Sequence, residues 1–162
     1  ADPKLQTTIF NGFELRAAVT PYTGGGYMHA TDDRTPVTFI TRYYLDKIKR
    51  LCDAHGTKLL FVTAPSPVNH TMQRHNEVQA LADALAVPYL DLNLNTEELG
   101  IDWNLDTLDG GDHLNYTGCQ KATAYLQRYM QTHYTLPDRR KDARYETWNK
   151  RAAEFEKLLP QT

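Results

Sequence analysis

The chain has 162 residues, 41% of them hydrophobic and 23% charged, which fits one globular domain with a real core. A formal charge of −2 gives no electrostatic case for a nucleic-acid partner or an anionic membrane surface. No apolar run approaches the length needed to span a bilayer.

In chain order, Ala1-Asp2-Pro3 reads as a vector remnant left where a secretion signal was removed. Thr7 to Val19 holds short apolar pieces that suit one or two strands, and Gly24-Gly25-Gly26 then reads as a loop. Val37, Ile40, Tyr44, Ile48 and Leu51 recur at helical steps, so a helix with an inward face is expected from Pro36 in its first turn to His55-Gly56 at its end. Lys58 to Ala64 is a short apolar run without alternation, the pattern of a strand covered on both faces. Pro65-Ser66-Pro67 stops it. A second helix is expected over Met72–Ala86, with Val78, Leu81, Ala82 and Leu85 inward. Val87 to Leu92 is the next strand. Alternation of this kind predicts βαβ units and a parallel sheet, with ligands beyond the carboxyl ends of the strands.

Residues 94–115 form a long connection with a short helix at Thr96–Leu99; ordered loops of that length tend to be functional. Thr117-x-x-Gln120 is a capping-box pattern. The helix it opens has Ala122, Tyr125, Leu126, Tyr129 and Met130 on its buried face. Arg139-Arg140-Lys141 reads as a solvated helix approach. Tyr145, Trp148, Ala152, Phe155 and Leu159 give an amphipathic C-terminal helix over 141–159. Neither repeats nor a second domain are visible, so residues 1–162 are expected to form a single domain. Cys52 and Cys119 both fall on expected helices. They read as buried free thiols, or as a bridge if those helices are neighbours, and their spacing matches no zinc motif.

The chemistry concentrates in Asp109-Gly-Gly-Asp112-His113-Leu-Asn115. A histidine beside a carboxylate, between a glycine turn and a helix start, suits a general base oriented by an acid. Asp112 is adjacent and Asp109 is four residues back, and either can serve. Asn115 fixes the turn or caps the helix. Asp102-x-Asn104-x-Asp106 starts like a calcium loop, but position six is Thr107 instead of glycine and position twelve is His113 instead of glutamate. His70 and His75 lack helical ligand spacing and any evident carboxylate, so capping or surface roles are expected and no metal site is assigned. Ser66, the one serine of the chain, lies in an extended Pro-Ser-Pro loop instead of a strand-to-helix elbow.

Leu59-Leu-Phe-Val-Thr-Ala-Pro65, a helix, Val87-Pro-Tyr-Leu-Asp-Leu92, and then Asp109 to Gly118 and a helix resemble the C-terminal half of an SGNH/GDSL-type hydrolase. The closest flavour is the DltD- and AlgX-like branch of the cell envelope. The resemblance covers roughly residues 35–132. It implies a three-layer α/β/α flavodoxin-like fold with a parallel sheet, here lacking its N-terminal strands. It also implies a Ser-His-Asp site that hydrolyses or transfers an ester-linked acyl group, often acetyl on a carbohydrate. His113 matches the family's late histidine and becomes the general base, with Asp112 or Asp109 as its acid. The usual acid position, three residues before the histidine, is Gly110 here. The family's early Gly-Asp-Ser-like block has no counterpart, so the nucleophile is either Ser66 or a serine upstream of these residues. Asn69 and Asn115 are the substrate-contact candidates, with Asn69 and the Gly24–Gly26 run as oxyanion donors. The partners implied are a carbohydrate or cell-envelope acyl ester, without a cofactor or nucleic acid, with membrane attachment only through segments outside this chain and with self-association through an exposed sheet edge. The expected location is extracellular or the cell envelope. The alternative reading is a non-catalytic module of the same origin that binds glycans or proteins.

Overall fold

The computed structural model describes residues 13–159, which fall into two compact units. The larger, Ala17–Tyr125, carries a mixed helix and strand fold around a two-stranded parallel sheet.

Helix α1 spans Phe39–Ala54. Its cap is Thr38, whose hydroxyl accepts the Thr41 N–H at 3.2 Å, so Pro36 lies before the helix and not in its first turn. The helix ends as expected, with His55 at the cap and Gly56 at φ 63, a left-handed conformation that favours glycine. The inward face expected of α1 is instead exposed. Phe39 is 81% accessible, and Ile40, Tyr44, Ile48 and Leu51 are also open.

Strands β1 (Phe61–Thr63) and β2 (Tyr89–Asp91) pair in parallel, with Phe61 opposite Tyr89, Val62 opposite Leu90 and Thr63 opposite Asp91. Both are shorter than their apolar runs. Pro88 has no N–H to give the ladder, and its carbonyl accepts the Phe61 N–H where pairing begins. Beyond Asp91 the chain turns into a 3₁₀ helix, Leu92–Asn95, capped by the Asp91 carboxylate. The expectation that β1 is covered on both faces fails at Val62, which is exposed.

Helix α2 (Met72–Leu85) bridges the strands, capped by Thr71. It buries Leu81 and Ala82 as its pattern predicts, and also Glu77, which takes an ion pair from Arg42 of α1. Leu81 and Ala82, with Val87, Leu90, Leu92 and Leu99, make the apolar core. The short helix α3 is Thr96–Leu99.

Helix α4 spans Tyr116–His133. Its cap is Asn115 rather than Thr117. The Asn115 Oδ1 accepts the Gly118 N–H at 3.1 Å and the Thr117 hydroxyl at 2.7 Å, so the capping-box threonine serves the cap from inside the helix. Its expected apolar face is only half-buried, and Gly118 is its one fully buried residue.

No strand forms over residues 13–19, and residues 7–12 of that expectation lie outside the described residues, as does the 1–3 remnant. Residues 20–22, which follow it, run along the 103–110 loop. Thr20 donates to the Thr107 carbonyl at 3.1 Å, Tyr22 to that of Trp103 at 2.9 Å, and Thr20 accepts from Gly110 at 3.0 Å.

The smaller unit joins residues 13–16 with 126–159. It contains a 3₁₀ turn, Ala143–Tyr145, and helix α5, Glu146–Leu158. Phe155 meets Phe13 edge to face, with ring centres 5.9 Å apart. Trp148 is exposed.

Candidate functional site

The loop between β2 and α4 is folded back on itself. An antiparallel bridge joins Thr107 to Leu114, and the Leu108 N–H donates to the His113 carbonyl at 2.9 Å. Gly110 and Gly111 turn the chain at φ 77 and 100, a region other residues seldom adopt. A Cβ at Gly111 would also stand 2.8 Å from both the Pro67 Cγ and a Tyr22 ring carbon. The two glycines therefore set the geometry of the turn that presents His113.

At its rim Asp109 grasps His113 twice. Oδ1 accepts the His113 backbone N–H at 2.8 Å, and Oδ2 lies 2.7 Å from Nδ1. A carboxylate can only accept, so Nδ1 carries the proton and Nε2 becomes the nitrogen for acid–base work. Desolvation opposes ionisation of Asp109 but is outweighed by the bonds from the His113 ring and N–H, which hold the carboxyl below its usual range. Asp112 Oδ2 is 3.7 Å from the same nitrogen and its Oδ1 takes the Asn69 amide. Of the two acids left open by the sequence, the hydrogen-bonded partner is Asp109.

Ser66 sits close by but is directed elsewhere. Its hydroxyl donates to the Asp112 carbonyl at 2.9 Å and approaches that of Gly111 at 3.4 Å. Its N–H donates to Asn93 Oδ1 at 2.9 Å. The residue ties the loop after β1 to the His113 turn. Asn115 is buried, and its Nδ2 donates to the Leu105 carbonyl at 2.7 Å and the Ala18 carbonyl at 3.3 Å, so its amide is engaged within the protein. The acids resembling a calcium loop serve turns. Asp102 Oδ1 accepts the Asn104 N–H, and buried Asp106 takes the Asp102 N–H and the Lys121 ammonium.

The His70 and His75 pair does have a carboxylate partner, which corrects the sequence reading. His70 Nε2 and His75 Nδ1 each lie 2.8 Å from Asp91 Oδ2, and Tyr89 donates its hydroxyl there at 3.1 Å. The Asp91 Oδ1 accepts from the Asn93 N–H and side-chain amide at 2.9 and 2.7 Å. Burial raises the cost of the Asp91 charge, yet the bonds from His70, Asn93 and His75 win and hold its carboxyl far below the ordinary range. Burial, with the Asp91 charge nearby, pushes the Tyr89 phenol well above its usual value. His70, His75 and Asp91 offer one ligand atom each within 4.8 Å of one another, as do Asp109, Asp112 and His113. In the first set those atoms already complete one another's hydrogen bonds.

A cavity of about 500 Å³ is lined by Tyr22, Gly24 to Gly26, Tyr27, Met28, Asn93, Thr96 and Trp103. No protein-family model, curated protein or solved structure matches the chain. Its chemistry is therefore argued from this geometry. Sequence reasoning missed Asp91, Asn93 and Trp103 as site residues. The available signal was that Asp91 and Asn93 stand at the carboxyl end of a strand, where ligands collect in parallel sheets. Cys52 and Cys119 are half-buried free thiols, and burial raises the Cys119 thiol.

Proposed function

We propose that this chain carries the acid–base half of an SGNH-like serine esterase or O-acyltransferase, working on an acyl ester of a carbohydrate or cell-envelope polymer. The observation that carries this reading is the pair of hydrogen bonds that His113 donates to the Asp109 carboxylate, which fixes the tautomer that a general base needs. The His113 Nε2 takes the proton of a serine hydroxyl as its oxygen attacks the acyl carbonyl. The imidazolium, stabilised by Asp109, gives that proton to the departing alcohol. Water or an acceptor hydroxyl then repeats the sequence on the acyl-serine, and the serine regains its proton. Ser66 acts as a tether, because its hydroxyl donates to a main-chain carbonyl. The nucleophile is a serine of the family's early block, which precedes these elements.

The parallel β1–α2–β2 unit supports a larger three-layer α/β/α flavodoxin-like domain. The exposed apolar face of α1 and exposed Val62 are surfaces that further strands and a facing layer would cover. A second reading, a glycan-binding module without catalysis, is favoured by the aromatic cavity.

The test is intact-mass analysis after treatment with a fluorophosphonate, on this chain and on the whole polypeptide its gene encodes. The whole polypeptide is expected to gain one adduct that survives Ser66→Ala and disappears in His113→Ala. Loss of the adduct in a folded Ser66→Ala variant would make Ser66 the nucleophile. No adduct on any form would leave the binding module.

A further inference from the structure

We propose that the cavity beside the His113 turn binds a neutral pyranose ring, with Trp103 and the Gly24–Gly26 segment as its determinants. This deepens the ester reading by naming where the sugar of the acyl ester rests.

Four observations carry it. The volume, about 500 Å³, falls within the range of small-molecule sites. The walls are aromatic and neutral. Trp103 meets Tyr22 and Tyr27 edge to face, with ring centres 6.0 Å apart in each case. Among the described residues, no lysine, arginine, histidine, aspartate or glutamate lines the space, which disfavours a phosphate, a carboxylate or a cation. Aromatic faces carry negative charge density and attract the weakly positive C–H face of a sugar ring.

The wall also offers donors that are open to solvent and so available to a ligand. Among the described residues, the Trp103 indole N–H, the Thr96 hydroxyl and the amides of Gly24, Gly25 and Gly26 make no hydrogen bond within the protein. The other polar groups are engaged. The Tyr27 hydroxyl donates to Asn93 Oδ1 at 3.0 Å, and the Tyr22 hydroxyl to the Gly25 carbonyl at 2.9 Å. A ligand rich in hydroxyl and ether oxygens satisfies such donors.

The fourth observation is position. Tyr22 closes the cavity and also packs into the space that a Gly111 side chain would need, two residues before His113. A ring held against Trp103 therefore lies next to the turn that presents the base. The glycine run fits the same role. Tyr22 fills the place of a Gly24 Cβ, whereas a Cβ at Gly25 would meet nothing within 4 Å. Gly25 thus borders open space in the cavity wall.

That difference supplies the test. In a Trp148→Phe background, Trp103 is the one remaining tryptophan, and its emission is titrated with maltotetraose, cellotetraose and chitotetraose. At least one should give a saturable change. Gly25→Leu, which projects into open space and should keep the circular dichroism of its parent, should weaken that ligand by more than about tenfold. Calorimetry on Trp103→Ala should show a comparable loss. No response to any of the three sugars at millimolar concentration, or unchanged affinity in a folded Gly25→Leu variant, overturns the inference. Sugar binding without a fluorophosphonate adduct would keep this site and remove the esterase reading; an adduct without sugar binding would do the reverse.

Discussion

Gly118→Ala should destabilise the protein, against the usual effect of this change inside a helix. Glycine in a helix interior costs about 1 kcal/mol relative to alanine, so propensity alone predicts a gain. The surroundings reverse it. A Cβ at Gly118 would stand closer than 3.0 Å to the Asp106 carbonyl oxygen, and 3.1 Å from both the Asp106 and Leu114 Cβ atoms. Ordinary contact begins at 3.4 Å, so three atoms of two residues, Asp106 and Leu114, must withdraw at once. They are poorly placed to do so. The Asp106 carbonyl holds the Asn115 N–H at 3.0 Å, its carboxylate holds the Asp102 N–H and Lys121, and Leu114 is bridged to Thr107. Overpacking of this kind costs about 1–3 kcal/mol, and with Asp106 pinned from both ends the upper part of that range applies. Subtracting the propensity gain leaves a net loss of about 2 kcal/mol. Urea unfolding followed by far-ultraviolet circular dichroism measures it directly. A midpoint equal to or above that of wild type would refute the reasoning and show that α4 can slide away from the 106–114 loop without cost.

Asp109→Asn should lower acylation of the serine by about two to four orders of magnitude with the fold intact, since the amide no longer enforces the Nδ1–H tautomer. Asp112→Asn, 3.7 Å from the ring, should change it little, and the opposite ranking in stopped-flow acylation would assign the acid to Asp112. Asp91→Asn should flatten the acid limb of stability. The Asp91 carboxyl is depressed in the folded state, so its contribution is complete above the unfolded carboxylate value near pH 4 and is lost as pH falls through the folded one. The variant should be weaker by about 3–5 kcal/mol at pH 7 and converge with wild type in acid. Urea midpoints measured from pH 7 down to about pH 1.5 that run parallel throughout would show that Asp91 does not carry the effect.

What was legible in the sequence was local. The α2 pattern identified Leu81 and Ala82, the Asp91 strand paired where its run suggested, and Asp109 was weighed as a partner for His113 four residues away. Periodicity in α1 identified an apolar face but carried no information on what covers it, and the face is exposed. The capping-box pattern at Thr117 competed with Asn115 two residues earlier, whose side chain reaches the Gly118 N–H directly. His70 and His75 meet Asp91 across separations of 21 and 16 residues. Only the parallel pairing of β1 and β2 brings them together, so no short-range spacing could have shown it. The cavity is more distant still, since Trp103 reaches Tyr22 and Tyr27 through the contacts of an irregular segment that has no periodic signature.

The sheet has only three residues in each strand, too few for backbone bonds to hold it alone. Its seal is made of side chains. Thr63 on β1 donates to the Tyr89 oxygen at 2.9 Å, Tyr89 donates to Asp91, and Asp91 takes the ring of His75 from α2 and that of His70 from the loop. Strand, helix and loop therefore share one carboxylate as a keystone. β1 joins this network through the Thr63 hydroxyl on Tyr89, so amide exchange at Thr63 and solvent access to the two imidazoles are expected to rise together when it opens.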